Sequence, residues 1–231
     1  MRINADFDEP VVIRPADREW VTSPSGGVER CMLDRVSLDG GVGEVARATS
    51  LVRFAPDSSF PTHIHGGGEE YLVLDGTFSD ETGDFSAGTY VRNPIGTAHA
   101  PHTKDGCTIF VKLHQFAEGD AEQFDVALSD RLESAPNVNG LREALLHETD
   151  EERVRVVALD AGAELTHAAG PGGAEMLVLD GTLIVRNEDW PAGTWARQPH
   201  GMPISTRAGP DGATVWIKTG HLADGIVLGP D

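Results

Sequence analysis

Apolar and polar positions alternate in short runs along this chain, and Gly, Pro, Asp and Asn cut the runs apart. Val45–Phe54 (V-A-R-A-T-S-L-V-R-F) and Cys107–Leu113 (C-T-I-F-V-K-L) combine β-branched residues with a two-residue period, which predicts strands. Pro10–Ile13 is a short extended piece, Trp20 an apolar anchor, and S-P-S-G-G a turn ahead of Val28–Leu33. Beyond Gly76, T-F-S-D-E-T-G-D-F reads as strand, acidic turn and strand. This rhythm of short strands and turns predicts an all-β sandwich or barrel. Residues 117–150 break the rhythm. They are polar and acidic, which predicts a linker, with L-R-E-A-L-L-H-E at 141–148 as a short helix.

The pattern occurs twice. L-V-L-D-G-T stands at 72–77 and again at 177–182, and A-G-T-Y at 87–90 matches A-G-T-W at 192–195. Pro94-Ile95-Gly96 answers to Pro199-His200-Gly201 at the same shift of 105, and D-G-C-T-I-F-V-K at 105–112 to D-G-A-T-V-W-I-K at 211–218, one residue further. Four blocks in order indicate a tandem duplication of one β unit. The organisation expected is a first module over 1–116, a linker over 117–150 and a second module over 151–231.

Composition narrows the function. Lys plus Arg is 18 against 37 Asp plus Glu, a formal net charge of −19. Such a surface repels phosphate backbones and anionic lipid, so nucleic acid and membrane are not expected partners. No apolar run approaches a membrane span, and the N-terminus M-R-I-N-A-D-F lacks a signal-type apolar stretch. Cys31 and Cys107 form no C-x-x-C pair and are expected as buried free thiols. The chain is expected to be soluble and cytoplasmic.

The chemistry concentrates in Pro61–Gly76, P-T-H-I-H-G-G-G-E-E-Y-L-V-L-D-G. On a strand His63 and His65 share one face, with Ile64 on the other. A glycine turn follows, and a strand beginning at Glu69 can return its carboxylate to the histidines. Three such groups converging suit a divalent metal. His99 follows the Pro94-Ile95-Gly96 turn, which would aim it inward. Three imidazoles and one carboxylate suit Zn(II), Fe(II), Mn(II) or Ni(II). His102 is a candidate base beside the metal, and Glu70 should face away from Glu69. The shift of 105 replaces the four ligands by Ala168, Gly170, Ala174 and Ile204, while Gly181, Gly193, Pro199 and Gly201 retain the scaffold. His167 and His200 lie at the wrong offsets. One metal centre is expected, in the first module.

These residues resemble the two cupin motifs. The first runs His63-x-His65-x3-Glu69-x6-Gly76, with Asp57 where a glycine usually leads, and the second runs Gly88-x5-Pro94-x-Gly96-x2-His99, with Thr103 where an Asn usually closes. The tract from Gly66 to Pro94 is similar to the ChrR-type cupins, named for the metal-binding domain of a zinc anti-sigma factor. The resemblance implies a tandem double-stranded β-helix, or bicupin of jelly-roll barrels, with a metal on His63, His65, Glu69 and His99. It also implies three functional expectations: a metal-binding bicupin, an Fe(II)-dependent dioxygenase acting on a diketone or aromatic ketone, or a sigma-factor regulator in a stress response. The anti-sigma activity of that group belongs to a helical zinc domain with a C-x-x-C pair, which this chain lacks, so a sigma-factor partner is disfavoured. A small-molecule ligand and a homodimer are compatible with the barrels. No Arg-rich phosphate motif and no cofactor fingerprint is present, so the sequence names no substrate.

Overall fold

The computed structural model describes residues 1–24, 26–37, 45–167 and 170–222, without the side chain of residue 167. The chain divides into two compact units. Among the described residues, Met1–Ala5 and Glu19–Leu128 belong to the first, and Asp6–Arg18 with Ser129 to Leu222 to the second. Among the described residues no helix is long and apolar enough to cross a membrane.

Each unit is an antiparallel sheet of nine strands. In the first, the order is Arg2–Ile3, Val28–Ser37, Val45–Phe54, Cys107–Leu113, Glu69–Asp80, Thr89–Asn93 and Phe124–Ala127. Trp20–Thr22 and Gly83–Ser86 pair outside this path, and His63–Ile64 pairs with Ala98–His99 as a separate two-stranded ribbon. In the second, the order is Asn137–Val138, Leu141–Glu148, Arg153–Leu159, Ile204–Thr219, Ala174–Val185, Trp195–Gln198 and Val11–Ile13. The duplication read from the sequence is thus a duplication of strand order, and the fold is a tandem jelly roll. Even the offset of one residue recurs, since Glu69 lies opposite Leu113 and Ala174 opposite Thr219.

Two expectations change. L-R-E-A-L-L-H-E is a strand, Leu141–Glu148, not a helix. Its Leu and Ala spacing fits either period, and pairing with Arg153–Leu159 buries Ala144 and Leu146. Tertiary pairing overrides propensity in such an ambiguous run. The stretch expected as a linker is also structured. Phe124–Ala127 pairs with Thr89–Arg92, the helix Leu128–Ser134 follows, and Asn137–Val138 opens the second sheet.

Alternation places the cores. Val28, Val52, Phe54, Tyr71, Val73 and Ile109 belong to the apolar interior of the first unit. The second unit's interior includes Met176, Leu183, Trp190 and Val215. Cys31 and Cys107 are buried free thiols, and burial pushes Cys107 up to about 11.

Candidate metal centre

His63 and His99 lie directly opposite each other on the two-stranded ribbon. His65 follows one residue beyond that strand, and its backbone holds the neighbouring turn: its N–H donates to Thr97 O at 2.8 Å, and its carbonyl accepts from Gly96 N–H at 2.9 Å. The turn runs Pro94 to Thr97, closed by Thr97 N–H to Pro94 O at 3.1 Å. Gly96 at φ +88° supplies the left-handed corner that a side chain would resist. Glu69 begins its strand after Gly68, and Glu69 and Glu70 take opposite faces as the two-residue period requires.

The four side chains converge. Their candidate ligand atoms all lie within 4.8 Å of one another. Glu69 Oε1 is 3.5 Å from both His65 Nε2 and His99 Nε2. Ligands about 2.1 Å from a shared ion stand roughly 3–4.2 Å apart, so these separations fit one. Ring centroids of the three histidines are 4.6–5.2 Å apart. His63 is exposed, and the other three residues are buried.

Hydrogen bonds fix each imidazole with its Nε2 lone pair facing inward. His63 Nδ1 lies 3.0 Å from Pro61 O, an acceptor only, so Nδ1 carries the proton. His99 Nδ1 donates to Asp80 Oδ2 at 3.0 Å. His65 Nδ1 is 2.9 Å from Thr97 Oγ1, whose own hydrogen goes to Pro94 O at 2.7 Å, leaving the hydroxyl as acceptor. Among the buried polar atoms, His65 Nε2, His99 Nε2 and Glu69 Oε1 have no hydrogen-bond partner. Three orphaned atoms aimed at one point are costly unless a cation satisfies them, and their donor set fits a divalent transition metal.

The electrostatics agree. Burial, then repulsion from His99 and His63, brings His65 down to about 4, so it stays neutral near pH 7. His99 is also lowered, by burial first, against the opposing pull of Asp80. Burial lifts Glu69 to about 7, opposed by a hydrogen bond with Asn93 and assisted by Asp80. Asp80 is held low despite its burial, by hydrogen bonds from Thr82 and His99.

Asp80 and Thr97 orient the ligands and were not singled out in the sequence. Asp80 lay in an acidic turn with no spacing to mark it. His102 is exposed, its backbone bridged to Ser59 and Ser79, and it is not among the residues lining the cavity beside the four ligands. Asp57, at the usual glycine position, has φ +58°, a conformation that Asp tolerates better than most residues. Thr103 is buried and donates to Thr77 O at 2.7 Å. Glu70 is buried and bonded to Tyr90 and Arg92, away from the ligands.

The second unit carries Ala174 and Ile204 at the places of Glu69 and His99, both within its apolar core. Ala168 lies outside the described residues, as does the side chain of His167. His200 is exposed.

The family model described as ChrR Cupin-like domain matches residues 8–117 and again 123–223. The chain belongs to the ChrR cupin-like family. Both matches lie in one chain, so it is a two-domain member of that family. No curated protein sequence matches it. Among solved structures, a candidate dioxygenase from Nostoc punctiforme is similar with TM-score 0.73 and 13% identity, over 94% of this chain and 85% of that one. The pirin YhhW of Escherichia coli, in complex with nickel(II), has TM-score 0.68 and 14% identity over 92% and 99%. Salicylate 1,2-dioxygenase of Pseudoaminobacter salicylatoxidans has TM-score 0.60 and 13% identity over 75% and 70%. At such identities the likeness is one of fold.

Proposed function

We propose that the first cupin holds one divalent transition metal on His63, His65, Glu69 and His99, and is a metal-dependent enzyme of the dioxygenase type acting on a small oxygen-bearing ligand. The carrying observation is the orphaned ligand set opening on a cavity of about 430 Å³ within the first unit. Its walls include Phe54, Phe60, Phe78, Ile109 and Val111, so a small apolar body can be enclosed beside the ligands. Four protein ligands leave a six-coordinate ion two further positions, enough for a chelating substrate. A bound Fe(II) would supply reactivity toward O2 and Lewis acidity toward the substrate oxygens. This chain's own residues orient the imidazoles through Asp80, Thr97 and Pro61, line the site with an aromatic wall, and present Glu69, which would give up its proton on binding the ion. The resemblance in fold to a candidate dioxygenase and to salicylate 1,2-dioxygenase supports this class over storage alone.

The test is anaerobic reconstitution with Fe(II), then O2 consumption with a panel of diketones and aromatic ketones. Turnover lost in Glu69→Ala is the expected result. Absence of O2 uptake with every panel member and every first-row metal overturns the oxygenase reading.

A further inference from the structure

The cavity beside the ligand set is mostly apolar, yet two arginines line it, Arg30 and Arg35. Both come from the strand Val28–Ser37. On a regular strand, positions 30 and 35 would face opposite ways. The register shows how both turn inward. Arg30 lies opposite Val52, and Arg35 opposite Ala48, on one face of the neighbouring strand. A register shift between Met32 and Asp34 restores the parity by inserting one extra residue.

Arg30 is half-buried, its guanidinium carbon 5.8 Å from the centroid of the Phe60 ring. Among the described residues no carboxylate forms an ion pair with it. Burial shifts its pKa downward. An arginine remains charged at any ordinary pH, so among the described residues this is a partly desolvated cation without a counter-ion, lining the cavity. In a protein of net charge −19, a surplus of acid is available for pairing, and none of the described acids pairs here. Arg35 lies deeper and donates from Nε to Ser37 at 3.2 Å.

The second unit supplies an internal control. Its equivalent strand is Leu141–Glu148, with the same register shift between Leu145 and His147. Pairing aligns Arg30 opposite Val52 with Glu143 opposite Val157, and Arg35 opposite Ala48 with Glu148 opposite Arg153. Both cations have become acids in the copy that also lacks Glu69 and His99. Glu143 there pairs with Arg155 at 3.0 Å. The backbone device is common to both units, whereas the inward positive charge accompanies the ligand set.

The geometry points to Arg30 as the anchor for the carboxylate of an anionic substrate, a small organic acid with an apolar body whose second oxygen reaches the metal position. The ligand set and Arg30 line the same cavity, and Phe54, Phe60 and Phe78 belong to its wall. A charge-assisted hydrogen bond in a partly dry site discriminates the acid from its neutral analogue by roughly 10- to 100-fold in affinity. The assignment rests on the metal reading above.

The experiment uses the full chain loaded with Co(II), with metal content measured first. Phenylpyruvate and its methyl ester are titrated by calorimetry and by the visible cobalt spectrum. They share a ketone and a ring and differ in the charge. The wild type is expected to bind the acid roughly 10- to 100-fold more tightly. Arg30→Met should abolish that preference, leave the ester unchanged and retain the cobalt, and Arg30→Lys should restore part of it. Equal affinity for acid and ester in the wild type overturns the anchor without requiring any variant to fold. So does a preference that survives Arg30→Met. Failure of the wild type to take up cobalt overturns the metal reading itself, and the metal content distinguishes the two failures.

Discussion

At Glu69 the structure places a carboxyl in a buried pocket among three imidazoles, two of which, His65 and His99, have their pKa lowered chiefly by burial. Its ionised form needs a positive partner, and a divalent ion is the one the geometry admits. The linkage has a definite sign. Metal binding requires the carboxylate, and Glu69 is raised to about 7, so affinity falls as pH drops through that value. His65, lowered to about 4, is already neutral across this window and releases no proton there. Calorimetry of Zn(II) binding in buffers of different ionisation enthalpy should therefore show a proton release that is larger at pH 6 than above pH 8, as the Glu69 proton is displaced. A release that does not change with pH would contradict this account of the site. Asp80 acts through His99 by fixing its proton on Nδ1. Asp80→Asn should weaken metal binding roughly 10- to 100-fold, with the fold unchanged by circular dichroism. The convergence of His63, His65, Glu69 and His99 was legible in the sequence because the spacing of the first three encodes a strand, a turn and a strand. Asp80 and Thr97 were not, because a single acid or hydroxyl acquires its role only once the chain has folded back on it.

Among the elements, the glycines that both units retain have a shared cause. Gly76 has φ +72°, and a Cβ there would lie 2.1 Å from the carbonyl oxygen of Gly106. Gly181 repeats this, with φ +69° and 2.2 Å to the oxygen of Gly212. Gly76→Ala should cost roughly 2–5 kcal/mol, from left-handed strain and from a clash with backbone that cannot move aside. Chemical denaturation would measure it, and a cost below about 1 kcal/mol would mean that the strands part easily there. The register shift at Met32 is the element-scale feature that sequence reading misses. An extra residue leaves no mark in composition, and alternation counted across it assigns Arg30 and Arg35 to opposite faces. The strand at 141–148 was misread for a related reason, since eight residues with Leu at two spacings satisfy both helix and strand periods.

Over the whole molecule, the duplication was visible because turn residues recur at a fixed shift, while the edge assignments were hidden. Val11–Ile13 pairs with Trp195–Arg197 in the second sheet, whereas Arg2–Ile3 pairs in the first. Strands of two or three residues carry no period strong enough to show such a choice. The two units otherwise differ in their interiors: one keeps polar ligands and a cavity, and the other places Ala174 and Ile204 among apolar neighbours. Metal bound by the native state alone should raise the melting temperature with its concentration, and a chelator should reverse that rise. The most direct test of the account is the metal content of protein purified without added metal, for the wild type and for His63→Ala/Glu69→Gln, which removes the exposed ligand and replaces the buried one by its neutral isostere. About one transition metal per chain in the wild type and none in the variant is the result predicted. A metal retained by the variant would place the centre elsewhere in the chain and contradict it.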